Sequence, residues 1–270
     1  MGRNPAPKPQ GDPADVDFFE LMERHLPRAF SSVMRRLPSE PRCRLCNAPF
    51  GGPGGRVMSR FGFGPSRKNP TLCNTCFEKA PMGGVEMEIG VLFADVRGFT
   101  SLAEQMAPDA VAKLLNRFYG AASEVLSRSA IIDKLVGDEV MALYVPQLFR
   151  DDGWQDDMLD DARALLAAVG HGGGEPWLAL GVGLDIGPAY VGNVGAGDVK
   201  DFTALGDVVN TAARLQGEAK PGQIVISERL FDRLSDAPAD ARPASLVLKG
   251  KREAEPALVV DVGSTRTVQR

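Results

Sequence analysis

The sequence predicts an α+β fold in which helices pack against one mostly antiparallel sheet, preceded by a helix and a small four-cysteine module. Strand-like and helical segments follow one another without the regular alternation of a parallel α/β protein. Neighbouring strand-like segments are joined by tight turns that contain glycine, as in hairpins. All four cysteines of the 270-residue chain lie in its N-terminal part, apart from these segments.

The composition is typical of a globular protein, with 44% hydrophobic and 24% charged residues. This excludes a wholly disordered or fibrous chain. No apolar run approaches the length of a transmembrane helix, and segment 1–13 lacks the apolar core of a secretory signal. We therefore expect no membrane span, a cytoplasmic location and a flexible tail over residues 1–13.

Apolar residues recur at helical spacing through segment 14–38, which predicts an N-terminal helix interrupted at Pro27. The pattern leaves two roles open, because such a helix can pack on its own domain or mediate dimerisation and signal transmission. Residues 1–80 are basic and the remainder is acidic. This asymmetry suggests two units with different roles.

Segment 41–80 is predicted to be a metal-binding module. Cys43, Cys46, Cys73 and Cys76 form two C-x2-C pairs, a spacing that favours a metal site over a disulfide framework. Large apolar side chains are scarce here, so a bound metal would supply folding energy. Structural zinc is the first interpretation, an iron–sulfur cluster the second and a thiol switch the third. Nucleic acid is not expected as a partner, because aromatic residues for base stacking are too few.

A linker at 81–84 is predicted to lead into a larger domain at 85–262, followed by a tail at 263–270. A strand with period-two alternation begins at Val85, and a helix follows Pro108. Two hairpins are predicted, one from Ile131–Val136 and Val140–Val145 and the other from Leu178–Ile186 and Ala189–Val194. The remaining predicted elements are helices at Asp157–Val169, Asp207–Leu215 and Glu228–Leu234, and strands at Gln223–Ser227, Ser245–Leu248 and Pro256–Val262.

Two acidic residues stand where strands meet turns. Asp95 ends the first strand of the larger domain, and a glycine turn then opens a helix whose N-terminal amides can receive phosphate oxygens. Asp138 occupies the turn of the first hairpin. If the strands are neighbours, both carboxylates can hold a hard divalent cation, which favours metal-dependent phosphoryl or nucleotidyl chemistry. Taken singly, Asp95 is also compatible with a cap of the helix that begins near Thr100, and Asp138 with an ordinary turn residue.

Asn210 and Arg214 are four residues apart in a predicted helix and would share one face. An amide beside a guanidinium suits a sugar and a phosphate. Arg97 and Glu139, within the same motifs as the acidic residues, receive no role and are expected to face solvent. His171, in a glycine-rich loop, is also expected to be exposed.

The motifs FADVRGFTSL, KLVGDEVMALY, FTALGDVVNTAARL and LKGK, in this order, are similar to those of the catalytic domain of class III nucleotidyl cyclases. The resemblance covers roughly Val85 to Val262. It implies a ferredoxin-like antiparallel sheet flanked by helices and the conversion of ATP to 3′,5′-cyclic AMP and pyrophosphate. It also implies a head-to-tail homodimer with two shared active sites.

The resemblance implies a role for each residue of these motifs. Asp95 and Asp138, assisted by the Val96 carbonyl, would hold two Mg²⁺ or Mn²⁺ ions. Arg214 would stabilise charge on the α-phosphate, and Asn210 would orient the ribose. The phosphate-binding groups would be the amides of Phe99, Thr100 and Ser101 and the side chain of Lys249.

The resemblance also implies that base choice depends on Lys134 and Thr203. A lysine donates toward adenine N1, whereas guanine presents a donor there, so ATP is expected over GTP. Thr203 departs from the aspartate version of the motif, and a hydroxyl can donate or accept. The alternatives are a guanylate cyclase and a non-catalytic nucleotide-binding sensor or interaction protein. The sequence indicates no particular regulatory partner.

Overall fold

The computed structural model describes residues 28–37, 39–44, 46–66, 70–77, 83–146, 153–196, 199–246 and 254–262. The helices are α1 Arg28–Arg36, α2 Gly52–Arg60, α3 Asn74–Phe77, α4 Phe99–Glu104, α5 Pro108–Leu126, α6 Trp154–Ala168, α7 Asp207–Glu218 and α8 Glu228–Phe231. The strands are β1 Gly83–Val96, β2 Ile131–Val136, β3 Glu139–Tyr144, β4 Leu180–Ala196, β5 Val199–Leu205, β6 Gln223–Ser227, β7 Arg242–Leu246 and β8 Glu255–Asp261.

Some predictions lie outside the described residues, namely the tails at 1–13 and 263–270, the first part of the helix at 14–38, and Lys249. Within the described part, β1 begins at Gly83, inside the segment 81–84 predicted as a linker. Apart from one hairpin, the other predicted elements of the larger domain are found in their described parts. The strands Ile131–Val136 and Gln223–Ser227 have the predicted ends, and the rest have shifted ends. Across the described ranges, no helix combines the length and apolar character needed to cross a membrane.

One eight-stranded sheet forms the larger domain. Its strands follow the order β2-β3-β1-β4-β6-β8-β7, and β5 pairs with β4 outside this path. Among the described strands, β4 and β6 are parallel and the other pairs are antiparallel. The predicted α+β class, with helices flanking a mostly antiparallel sheet, is confirmed.

The predicted hairpin between Leu178–Ile186 and Ala189–Val194 is wrong, because β4 is one strand of 17 residues. Gly187 and Pro188 stand at the supposed turn but stay extended, opposite Ile89 and Glu88 of β1. The proline is tolerated because β6 pairs only with residues 182–184 of β4, and β5 only with residues 190–196. Between these two stretches β4 is locally an edge strand, where no ladder hydrogen bond needs the missing N–H.

His171 is buried, at 9% exposure, so the prediction that it is exposed is wrong. Its Nε2 accepts a hydrogen bond from the backbone N–H of Leu180 at 3.2 Å. Burial lowers the pKa of the imidazole, which favours the neutral form that can accept this bond. The histidine therefore anchors the first residue of β4.

The sheet is covered on both faces. Leu92, Ala94 and Val96 of β1 pack in one cluster with buried residues of α5 and α6. The alternate residues Val85, Ile89 and Val91 belong to a second cluster, because side chains along a strand alternate between faces. The second cluster also contains residues of α7 and of the four-cysteine module, namely Val208, Ala212, Ala48, Met58, Leu72 and the four cysteines.

Gly183 of β4 allows α7 to lie directly on the sheet. A Cβ at Gly183 would sit 2.5 Å from the Ala212 carbonyl oxygen and still closer to the backbone nitrogen of Gln216. Both obstacles are backbone atoms, which cannot rotate away. The close approach sets the position of α7, and with it the positions of Asn210 and Arg214.

We predict that Gly183→Ala destabilises the protein by about 1–3 kcal/mol, because α7 must move off the sheet. The matched control is Gly217→Ala, also at α7, where an added Cβ meets nothing within 4 Å. That control is expected to leave stability unchanged or to raise it by up to about 1 kcal/mol. Urea unfolding of both variants measures the difference, and equal stabilities would contradict the packing described.

Candidate active site and four-cysteine cluster

Asp95 and Asp138 come together at one end of the sheet. Asp95 is the penultimate residue of β1, and Asp138 lies in the turn between β2 and β3. The backbone N–H of Val96 donates to the carbonyl oxygen of Asp138 at 3.2 Å, which ties the strand end to the turn. Gly137 turns the chain with φ 60°, a conformation that glycine adopts easily.

The carboxyl groups at this end of the sheet perturb one another. Burial raises the pKa of Asp95; the Arg97 guanidinium opposes this shift and the Asp138 charge adds to it. Glu139, expected to face solvent, is instead half-buried and lies opposite Asp95 in the β1–β3 register. Burial and the charges of Asp95 and Asp138 raise its pKa. Crowded carboxylates of this kind suit a divalent cation, which relieves their repulsion.

Arg97 was also expected to face solvent, and the structure corrects this. Its guanidinium lies 3.5 Å from Asp95 Oδ1 and donates to the Gln216 carbonyl oxygen at 3.0 Å. Gly181 leaves the space that Arg97 fills, since a Cβ there would lie 2.8 Å from Arg97 Nε. Arg97 therefore connects the acidic end of β1 with the C-terminal turn of α7, where a cation is favourable.

Phe99, Thr100 and Ser101 form the first turn of α4. The residue before them is Gly98, with φ 73°, and no side chain caps the helix. The first amides of a helix lack intrahelical partners. These three N–H groups therefore stand just beyond Asp95 with the capacity to bind an anionic oxygen.

Lys134 and Thr203 both lie beside Asp133, which was not among the predicted site residues. The Thr203 hydroxyl donates to Asp133 Oδ2 at 2.8 Å, and Lys134 Nζ lies 3.7 Å from the same oxygen. Asp133 is only 2% exposed. A detectable signal was the carboxylate directly after Ile131 and Ile132 in an apolar strand, since a buried acid is almost always paired.

Asn210 and Arg214 lie one turn apart on α7, as predicted from their spacing. Asn210 is exposed, and its Nδ2 makes a long contact of 3.5 Å to the Gly206 carbonyl oxygen. Arg214 is partly exposed and forms no hydrogen bond or ion pair with another residue in the described part of the chain. Both side chains therefore keep their capacity to bind a ligand.

The four cysteines form one compact, buried cluster. Their sulfur atoms all lie within 4.8 Å of one another, with 3.8 Å between Cys43 and Cys76 and 3.6 Å between Cys46 and Cys73. All four are free thiols, far beyond the S–S length of a disulfide. Four thiolates at about 2.3 Å from a central tetrahedral ion would be about 3.8 Å apart. The spacing therefore matches a single-ion site.

The backbone around the cluster holds the sulfurs in place. Asn47 adopts φ 60° after the first C-x2-C pair, a left-handed conformation that asparagine tolerates, and its N–H donates to the Cys43 carbonyl oxygen at 2.9 Å. The N–H groups of Cys73 and Cys76 donate to Cys43 Sγ and Cys73 Sγ, each at 3.2 Å. Hydrogen bonds among the thiols lower the pKa of Cys43 and raise the pKa of Cys46 and Cys76.

Comparison with known proteins gives a consistent result. Residues 85–259 match the family described as the adenylate and guanylate cyclase catalytic domain. An adenylate cyclase of Anabaena cylindrica is 31% identical over 199 residues, which are 65% of this chain and 38% of that protein. An adenylate cyclase of Mycobacterium bovis is 32% identical over 167 residues, which are 61% of this chain and 37% of that protein. The chain thus spans well under half the length of these relatives.

Solved cyclase structures share the fold. The adenylyl cyclase CyaB from P. aeruginosa aligns with a TM-score of 0.56 and 29% identity, covering 65% of this chain and 95% of that one. The guanylyl cyclase Cya2 aligns with a TM-score of 0.59 and 27% identity, covering 69% of this chain and 98% of that one. With the family match over residues 85–259, these likenesses show that the chain belongs to the class III adenylate and guanylate cyclase catalytic domains.

Proposed function

We propose that the protein is an adenylate cyclase that converts ATP to 3′,5′-cyclic AMP and pyrophosphate. The observation that carries the proposal is the meeting of Asp95 and Asp138 at the end of β1, within a domain of the cyclase family. The uncapped first turn of α4 begins shortly after Asp95 in the chain. Carboxylates beside a phosphate-binding turn are the combination that metal-dependent nucleotidyl chemistry requires.

The donor set fits Mg²⁺ or Mn²⁺. Asp95 and Asp138 supply carboxylate oxygens and Val96 supplies a carbonyl oxygen, all hard ligands. The raised pKa of Asp95 reflects burial and the nearby Asp138 charge, both of which a bound cation would offset. We propose two ions per site. When bound, they would make the ribose 3′-hydroxyl a better nucleophile and neutralise the triphosphate.

The protein groups would position the nucleotide and stabilise charge. The amides of Phe99, Thr100 and Ser101 would hold triphosphate oxygens, and Lys249 would add a positive charge. Asn210 would orient the ribose so that its 3′-oxygen is in line with the α-phosphorus. Arg214 would stabilise the charge that grows on the α-phosphate as pyrophosphate leaves, where a preorganised cation is most effective.

We propose that each site is shared by two copies of the chain. One copy would supply Asp95 and Asp138, and its partner would supply Lys134, Thr203, Asn210 and Arg214. The partly exposed Arg214, without a partner in the described part of its own chain, supports a role toward a ligand that lies between subunits. Since every chain carries both sets, a symmetric dimer would hold two equivalent sites.

The purified protein with Mn²⁺ or Mg²⁺ is predicted to form cyclic AMP and pyrophosphate from ATP, and far less cyclic GMP from GTP. Asp95→Asn is expected to lower turnover by at least about 10²-fold, because a metal ligand becomes neutral. The matched control is Asp109→Asn, which changes an exposed carboxylate paired with Lys113 on α5 and should leave turnover unchanged. Chromatography of the reaction products compares cyclic nucleotide formation by the wild type, Asp95→Asn and Asp109→Asn.

Two outcomes would contradict this assignment. Preferential formation of cyclic GMP would assign a guanylate cyclase, a property of the structural neighbour Cya2. Binding of ATP without any cyclic product would assign a nucleotide-binding sensor.

We further propose that the four cysteines bind one zinc ion, as a structural or regulatory element. The mutual spacing of the sulfurs supports a single tetrahedral ion more than an iron–sulfur cluster, whose irons would divide the thiolates into separate pairs. Free thiols also support a reducing, cytoplasmic location. Because the cysteines and the sheet share one buried cluster, loss of the ion would loosen the face on which α7 packs.

Metal analysis is predicted to find one zinc per chain in a colourless protein. Cys46→Ser should lose the zinc and lower the melting temperature by about 10 °C or more, because the ion supplies folding energy. Thr75→Ser, within the second C-x2-C turn, is the control and should keep the zinc. A brown protein containing iron, or a metal-free protein with unchanged stability, would refute the zinc assignment.

A further inference from the structure

A β-bulge in β2 places Asp133 beside Lys134 and Thr203, the two residues proposed to contact the base. The β2–β3 register shifts between Ile132 and Lys134, so Asp133 is the extra residue. Consecutive residues in a regular strand point to opposite faces, but a bulge re-aims the side chains beside it. Lys134 Nζ consequently lies 3.7 Å from Oδ2 of its own neighbour, Asp133.

The same carboxylate oxygen determines how the Thr203 hydroxyl can bond. A hydroxyl has one proton and two lone pairs, whereas a carboxylate only accepts. Thr203 donates its proton to Asp133 Oδ2 at 2.8 Å. Both residues are buried, at 7% and 2% exposure, so water competes little for this bond. With its proton committed, the hydroxyl can only accept from a further partner.

We propose that Asp133 is a positioning residue that determines base specificity, because it fixes the Thr203 hydroxyl as a hydrogen-bond acceptor. Adenine carries an amino donor at C6, where guanine carries a carbonyl acceptor. An acceptor at Thr203 pairs with the amino group and opposes the carbonyl. The inference rests on the proposed function, since it assumes that Thr203 and Lys134 contact the base.

Lys134 supplies a hydrogen-bond donor close to the same Asp133 oxygen. The ammonium donates and can pair with N1 of adenine, which is an acceptor, but not with N1–H of guanine. Asp133 attracts this ammonium while it holds the threonine proton. One buried carboxylate therefore arranges a donor and an acceptor side by side, complementary to adenine and mismatched to guanine at both positions.

The test compares kcat/KM for ATP with kcat/KM for GTP in wild type and in Asp133→Ala. Without the carboxylate, the Thr203 hydroxyl can rotate and donate to guanine, so the ATP:GTP ratio is expected to fall at least about tenfold. Asp133→Leu, an apolar residue of similar length, serves as the second variant in case alanine disrupts folding. In a Thr203→Val background, Asp133→Ala should change the ratio less than it does in wild type, because the part of its effect that passes through the hydroxyl is already lost.

Asp161→Ala is the matched control. Asp161 of α6 is a partly buried carboxylate that accepts hydroxyl hydrogen bonds from Tyr144 at 2.9 Å and from Ser129. It packs with the helices on the opposite face of the sheet. Its loss should lower the melting temperature and reduce turnover of both nucleotides alike, leaving the ATP:GTP ratio unchanged. The same unchanged ratio in the Asp133 variants would overturn the inference, because it would indicate a purely structural role.

Binding of unreactive nucleotides separates this inference from the proposed function. Dissociation constants for 3′-deoxy-ATP and 3′-deoxy-GTP, measured by calorimetry with Mg²⁺, need no turnover. If the wild type forms no cyclic nucleotide but binds 3′-deoxy-ATP in preference, and Asp133→Ala loses this preference, the cyclase assignment is refuted and the inference on Asp133 is kept. A wild type that forms cyclic AMP, with variants that retain the preference, would refute the inference alone.

Discussion

The antiparallel pairing of β1 with β4 is the constraint on which the domain depends. It runs through all 14 residues of β1, from Gly83 to Val96. This register places Gly181 and Gly183 of β4 on the face that carries Asp95, and the two glycines leave room for Arg97 and α7. The acidic end of β1 and the helix of Asn210 and Arg214 are therefore positioned by a single strand pair. A shift of one residue would move each side chain to the opposite face.

Charge is arranged around this frame in two neighbouring groups, which Lys134 links because its charge opposes the rise in the pKa of Glu139. Asp95, Asp138 and Glu139 crowd together with only partial compensation by Arg97. Burial and this crowding raise the pKa values of Asp95 and Glu139. Asp133, in contrast, is compensated within its own network by a hydroxyl proton and a neighbouring ammonium. The three crowded carboxylates suit a bound cation, whereas the carboxylate of Asp133 already has a hydroxyl and an ammonium beside it. This difference agrees with the proposed roles, in which the first group binds metal and the second contacts the base.

The sequence predicted most of this architecture because the main signals were local. Strand alternation from Val85, the Gly137-Asp138 turn and the spacing of the cysteines need no tertiary information. The predictions failed where tertiary context decided the outcome. Pro188 stays extended only because no third strand pairs beside it. Asp133 reaches Thr203 through a bulge in β2, and this contact joins residues that are 70 positions apart in the chain. Arg97, Glu139 and His171 looked like surface residues because their partners lie on distant elements.

Subunit sharing is the central claim, and complementation between two inactive chains tests it most directly. Asp95→Ala and Arg214→Ala chains would each form inactive homodimers. After mixing and reassociation, half of the dimers are mixed and each would hold one intact site, so roughly a quarter of wild-type cyclic AMP formation is predicted. Verified mixed dimers without activity would contradict the account, as would an Arg214→Ala homodimer with wild-type turnover.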